Sequence, residues 1–279
     1  MKLDLHMHST SSDGELDPAE LMRFARHQRG LDLVALTDHD TLGGLQAASD
    51  EAEKVGLRFV NGIEISSLWA GRCIHIVGLQ IDRENETLAR LAGGISAQRS
   101  ARAVKIAEKL ESLGFPNLYG KALKYARNPA IISRMHFAQA LTSEGHVEHL
   151  QQAFDKYLGD GMPAFVPTLW PALADAVSAI RGAGGVAVLA HPGRYRLTEQ
   201  WQFDGLMADF QQAGGQAIEV VSGSQSAQYT GICLAAAERF GFYASSGSDF
   251  HSRLGKRPLP GAQGEMPAGV KSVLELLKL

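Results

Sequence analysis

Ten histidines are spread along the 279 residues, and six of them fall at the ends of short apolar runs or inside one. His6 and His8 stand two apart in LDLHMH. In an extended chain that spacing puts both imidazoles on one face, with Leu3, Leu5 and Met7 on the other. Two imidazoles so placed can share one metal ion. Asp13 follows in a loop rich in Ser and Gly, which lets its carboxylate turn back toward the same strand end. His39 lies in TDHDT after LDLVAL, and Glu64 ends LRFVNGIE. His75 lies in CIHIVG, His191 in VAVLAHPG, and Asp249 and His251 in FYASSGSDFH. These nine residues offer nitrogen and oxygen and no thiolate, a donor set that suits manganese, iron, zinc or magnesium. Nine ligands exceed what one ion can use. They fit two or three ions, with Glu64 a candidate bridge. Clustered divalent ions make a hydroxide near neutral pH and clamp the attacking and leaving oxygens of a phosphoryl displacement.

The secondary structure around these groups alternates in type. Strands are expected at 2–5, 33–36, 58–65, 73–79, 186–190, 217–221 and 242–245. Helical patterns lie between most of them. The first helix has Asp17 as N-cap, Pro18 at its first position, Glu20 completing a capping box and Gly30 beyond its end. Further helices are expected at 44–55, 171–181 and 226–239. Strands alternating with helices imply βαβ units and a parallel sheet. About seven strands favour a closed or nearly closed barrel over an open doubly wound sheet. In such a barrel the C-terminal strand ends converge on one face, where active sites are built. All nine residues fall at or near those ends, except His75, which lies within a strand.

Residues 95–167 break this rhythm. They read as a mostly helical insertion between barrel segments 1–94 and 168–279, and are expected to cover the active site. From Arg99 to Arg134 there are eight basic and two acidic residues, a local charge of +6 in a chain of net charge −3. Lys105 and Lys109 read as a solvated helix face. Arg134 and His136, two apart in SRMHF, and Arg194, three after His191, are candidate phosphate contacts, since arginine offers a bidentate fork. Asp38 and Asp40 flank His39 as candidates to orient a ligand imidazole, with capping of the next helix the other role open to Asp40. His27, His146 and His149 read as surface residues.

Composition narrows the class. Apolar residues make 45% and charged residues 20% of the chain, which excludes wholesale disorder. No apolar run approaches the roughly 18 residues that cross a membrane. The first residues carry acid and histidine where an export signal has an apolar run. Cys73 and Cys233 are the only cysteines, so a disulfide framework is excluded and a cytoplasmic location fits. No G-x-S-x-G elbow accompanies Ser245–Ser248, which argues against a serine hydrolase.

The motifs LDLHMHSTSSDG, LALTDHDT, GIEIS, IHIVG, LAHPGR and GSDFH together resemble the polymerase-and-histidinol-phosphatase (PHP) family of metal-dependent phosphoesterases. The resemblance runs from Met1 to about Gly264. It implies a distorted (β/α)7 barrel with up to three metals, and manganese is the metal favoured. One ion would be held by His6, His8, Glu64 and Asp249. A second would be held by Glu64, His75 and His191, and a third by Asp13, His39 and His251. Within the family the chain is most similar to nucleotide 3′,5′-bisphosphate phosphatases and relatives that trim the 5′ ends of short RNAs, and ISRMHFAQAL adds to that likeness. The activity implied is removal of the 3′-phosphate from a nucleoside 3′,5′-bisphosphate by a metal-bound hydroxide, with His191 and Asp249 as nearby ligands. The alternatives are a 5′–3′ exoribonuclease on short 5′-phosphorylated RNA and a metal-binding module without turnover. The partner expected is a small nucleotide, with short RNA as a second; neither a membrane nor an obligate protein partner is evident.

Overall fold

The computed structural model describes every residue except Arg196, Ser224, Gly255 and Lys256. The chain divides into two compact units, Met1–Ala92 with Trp170–Leu279, and Gly93–Leu169.

The first unit is built on a seven-stranded sheet in the order β1 (Leu3–Asp4), β2 (Leu33–Leu36), β3 (Arg58–Trp69), β4 (Arg72–Leu79), β5 (Val186–Leu189), β6 (Ala217–Ser222) and β7 (Tyr243–Gly247). Beyond β7 the chain returns to the first strand. The Leu5 N–H donates to the Ser246 carbonyl at 3.2 Å, the Asp249 N–H donates to the His6 carbonyl at 2.8 Å, and Met7 bridges Phe250. These contacts nearly close the sheet into a barrel. Leu5, Leu33, Ala35, Val60, Val77 and Val188 form part of one buried cluster. Strands β2 and β5 are buried at every position, as expected where a strand is covered on both faces. Helices α1 (Pro18–Arg23), α2 (Leu45–Lys54), α7 (Leu173–Gly182), α8 (Gln200–Gln212) and α9 (Ala227–Phe240) belong to this unit.

The sheet departs from the expected all-parallel order at one strand. β4 runs antiparallel to both β3 and β5, while the other neighbouring pairs are parallel. The cause is local. Ala70 and Gly71 alone join β3 to β4, and both have positive φ, 46° and 74°. Two residues can close a hairpin, whereas a parallel return needs a crossover of a dozen or more. β3 therefore extends to Trp69, four residues beyond the strand expected from the sequence.

The second unit holds most of α3 (Glu86–Ser112), with α4 (Leu118–Leu123), α5 (Arg134–Ser143) and α6 (Leu150–Ala153). Its core is formed by Ile106, Leu110, Leu118, Phe137, Leu141 and Leu158, among others.

A helix cap and a close backbone approach fix two local features of this unit. At α1 the Glu20 N–H donates to Asp17 Oδ1 at 2.8 Å, the capping box expected from the sequence. At the seam between β7 and the first strand, Gly247 faces His6 so closely that a Cβ would lie 2.2 Å from His6 Cβ and 2.9 Å from its backbone nitrogen. Only a residue without a side chain lets these two segments meet. Gly247→Ala is expected to lower unfolding stability by about 1–3 kcal/mol, the usual range for overpacking a buried contact. Urea denaturation of the metal-free protein measures it. An unchanged midpoint would contradict the close approach.

Candidate metal centre

His6 and His8 follow β1, and their Nε2 atoms lie 3.1 Å apart, on one face as the alternation requires. Asp249 joins them just beyond β7. Its Oδ1 is 3.1 Å from His8 Nε2 and 3.5 Å from His6 Nε2. Glu64 arrives from the middle of the long strand β3, held by backbone bonds to Asp38 and Asp40 on its neighbour. Glu64 Oε2 is 3.2 Å from both His6 Nε2 and His8 Nε2 and 3.0 Å from His39 Nδ1. The other oxygen, Oε1, is 3.0 Å from His75 Nδ1 and 3.0 Å from His191 Nε2. One buried carboxylate thus divides five imidazoles between its two oxygens. A further group comprises His8, Asp13, His39 and His251, with Asp13 Oδ1 3.3 Å from His251 Nε2.

These spacings fit a divalent ion. With ligand bonds of about 2.1 Å, neighbouring donors lie about 3.0 Å apart around an octahedron and about 3.4 Å apart around a tetrahedron. The donors have few other partners. His8 Nδ1, His39 Nδ1, His75 Nδ1, Glu64 Oε2 and Asp249 Oδ1 are buried without a hydrogen bond, an arrangement that is costly unless a cation fills it. Nitrogen and carboxylate oxygen are the donors such ions take.

The grouping differs in detail from the one the resemblance implies. His39 belongs to two groups, one with His8, Asp13 and His251 and one with Glu64 and His75. His8 turns Nε2 toward Glu64 and Asp249 and Nδ1 toward Asp13, at 3.9 Å.

Backbone strain collects here. Asp40, His191 and Asp249 have φ of 51°, 30° and 54°, a region that L-residues adopt at a cost and that clusters at functional sites. The carboxylates beside His39 brace the neighbouring loops. Asp38 accepts from the Ser9 N–H at 2.7 Å and the Ser9 hydroxyl at 2.6 Å, and Asp40 accepts from the Ser66 N–H at 2.7 Å and its hydroxyl at 2.9 Å. The cap of α2 is Gly44, so Asp40 does not cap that helix.

The three candidate phosphate contacts lie in different settings. Arg194 pairs with Asp249 and donates to the Gly223 carbonyl. Arg134 sits in the second unit, where it donates to the Leu158 carbonyl at 3.1 Å and to Asp160 Oδ1 at 3.0 Å beside the rings of Phe154 and Phe165. His136, in the same unit, is buried, and its Nδ1 accepts from the Ser133 N–H at 3.0 Å. His27, His146 and His149 are exposed.

Three groups escaped the sequence reading. Asp4 accepts from the N–H groups of His6, Ser248 and Gly261 at 3.2, 2.9 and 2.8 Å, and burial pushes its carboxyl up to about 6. It is in phase with His6 and His8, which was the available signal. Glu219 is an acid inside the apolar run AIEVV, and it contacts both His6 and His191. Arg257 pairs with Asp249 and has no sequence signal beyond its charge.

A model of the PHP domain matches residues 4–162, more than half of the chain. The chain belongs to the PHP family. Among PHP relatives, a 3′,5′-nucleoside bisphosphate phosphatase of Chromobacterium violaceum is 45% identical over 90% of this chain and 87% of its own length. A 5′–3′ exoribonuclease of Haemophilus influenzae is 41% identical over 91% of each chain. The solved structure of a protein described as a metal-dependent phosphoesterase, from Bifidobacterium adolescentis, superposes with a TM-score of 0.78 at 29% identity, covering 98% of this chain and 93% of that one. A seven-stranded barrel bearing the His, Asp and Glu cluster is thus the PHP architecture in this chain.

The charges of the PHP centre set its pH response. Burial disfavours ionisation of Glu64, but the imidazoles of His39, His6 and His75 outweigh it and hold the carboxyl well below the usual range. Burial likewise disfavours a charged His8, yet Asp249 and Glu64 prevail and raise it to about 9. His191 is pushed down to about 4 by burial. A metal-ligating imidazole must be neutral. Between about pH 4 and pH 9 metal binding therefore displaces a proton from His8, whereas His191 is already neutral. Metal affinity is expected to rise with pH up to about 9, about tenfold per unit for each proton displaced. Chelator competition across that range measures it. An affinity independent of pH would contradict this electrostatic reading.

Proposed function

We propose that this chain is a divalent-metal-dependent phosphoesterase that removes the 3′-phosphate from nucleoside 3′,5′-bisphosphates. The observation that carries this reading is the convergence of His6, His8, Glu64 and Asp249, with donor atoms 3.1–3.5 Å apart. It occurs in a chain 45% identical, over 90% of its length, to a phosphatase of that name. We assign His6, His8, Asp13, His39, Glu64, His75, His191, Asp249 and His251 as the ligands of two or three metal ions, with Glu64 shared between two of them. Manganese is the favoured ion, on the family resemblance and the mixed nitrogen and oxygen donors. When bound, such ions supply Lewis acidity and a nucleophile from water near neutral pH.

The protein's own groups do the rest. His191 and Asp249, bent into place by positive φ, present one donor each toward the others. Arg194 and Arg257 both pair with Asp249 and are themselves part-exposed, 26% and 35%, where Asp249 is 1%. Two guanidiniums on one carboxylate leave a cationic rim that suits a phosphate dianion. Arg134 and His136 are retained as candidate phosphate contacts of the second unit, where the basic run from Arg99 to Arg134 also lies.

A second reading is favoured by the exoribonuclease relatives. Both activities break the ester at a 3′ oxygen, and they differ in whether the departing phosphate carries another nucleoside. Comparison of kcat/KM on a nucleoside 3′,5′-bisphosphate and on a 5′-phosphorylated RNA trimer separates them. No turnover on either with manganese would leave a binding module. A cytoplasmic setting is proposed from the two cysteines, which form no disulfide. Among the described residues no helix is long and apolar enough to cross a membrane.

A charge-assisted hydrogen bond is worth roughly 1.5–3 kcal/mol, or about 10–150-fold in rate. Arg194→Ala is expected to reduce kcat/KM for the bisphosphate by that order with metal content unchanged. Steady-state kinetics with elemental analysis checks it. Metal loss in the variant would mean that Arg194 acts by holding Asp249 in place instead of contacting the substrate.

A further inference from the structure

Glu219 lies in β6, fully inside the barrel wall, at 1% exposure. Its Oε1 is 2.6 Å from His6 Nδ1, and its Oε2 accepts from the His191 N–H at 2.7 Å. His6 is buried as well, and its other nitrogen, Nε2, is the one that faces Glu64, His8 and Asp249. An ionised carboxylate only accepts hydrogen bonds. Against Glu219, Nδ1 of His6 must therefore carry a proton, so that in the neutral imidazole that binds metal the Nε2 lone pair is directed at the ligand group.

We infer that Glu219 is a positioning residue for the metal centre: it sets the tautomer and ring orientation of His6 and, through the backbone N–H, the strained turn at His191. One side chain thus braces two of the proposed ligands from opposite sides of the barrel seam. Outer carboxylates of this kind raise the basicity of the imidazole they hold, and their loss costs 10–100-fold in metal affinity. The inference rests on the assignment of His6 as a ligand.

The geometry makes Glu219→Gln a sharp variant. An amide has one acceptor and one donor end. With its oxygen on the His191 N–H, its NH2 group faces His6 Nδ1 and forces the proton onto Nε2, toward the ion. The reverse placement sets NH2 against the His191 N–H. Glu219→Asp keeps two acceptors and is expected to retain more affinity than Glu219→Gln.

Zinc serves as the probe. Zinc affinity, read by competition with a chromophoric chelator, is expected to fall about 10–100-fold in Glu219→Gln and by less in Glu219→Asp. Long-range proton–nitrogen spectra of zinc-loaded wild type are expected to show His6 protonated at Nδ1. Wild-type affinity in folded Glu219→Gln, or a His6 proton on Nε2 in the wild type, overturns the positioning role. Wild-type protein that binds no zinc overturns the ligand assignment with it. Should Glu219→Gln fail to fold, the wild-type spectrum and the aspartate variant still decide. Equal losses in the aspartate and glutamine variants would mean that the loss is steric and would overturn the tautomer argument.

Discussion

The structure turns on one buried carboxylate. Glu64 has no exposed surface, and five imidazoles face its two oxygens at 3.0–3.2 Å. Burying an ionised group without compensation costs several kcal/mol. Here the compensation comes from cationic or cation-binding partners on every side. Glu64 sits in the middle of β3, which pairs with strands on both flanks and so holds the carboxylate inside the sheet. The need for compensation also explains why His39, His75 and His191 must come from three different strand ends or strands, since no single segment could surround one carboxylate.

The remainder of the centre is a set of braces around that group. Asp38 and Asp40, just past β2, tie down the loop after the first strand and strand β3 itself. Asp4 and Glu219 hold the backbone and ring of His6 from behind. Gly247 lets β7 approach His6, and the positive φ of His191 and Asp249 turns those residues inward. Such strain persists only where the surroundings over-determine it. Arginines at the rim, Arg194 and Arg257, both pair with the buried carboxylate of Asp249.

Much of this was legible in the sequence, for physical reasons. Apolar runs such as LVAL and VAVL mark strands covered on both faces, and the period-2 spacing of His6 and His8 set their common direction. The capping box at Asp17 and Glu20 marked α1. Other features were hidden. The two-residue link Ala70–Gly71 reverses β4, a departure from the rhythm of alternating strands and helices that implies parallel pairing. Glu219 and Asp4 are acids within strand patterns, away from the strand ends where ligands are expected. Arg257 reaches Asp249 through tertiary folding alone. Nor can spacing decide which imidazole faces which oxygen of Glu64, because that depends on how strands from distant parts of the chain converge.

Anomalous diffraction from crystals of this protein soaked in manganese locates the ions around Glu64. At least two strong peaks per chain are expected, one among His6, His8, Glu64 and Asp249 and one beside His75 and His191, with the Glu64 carboxylate between them. A single peak, or peaks that leave Glu64 without an ion, would contradict the shared carboxylate.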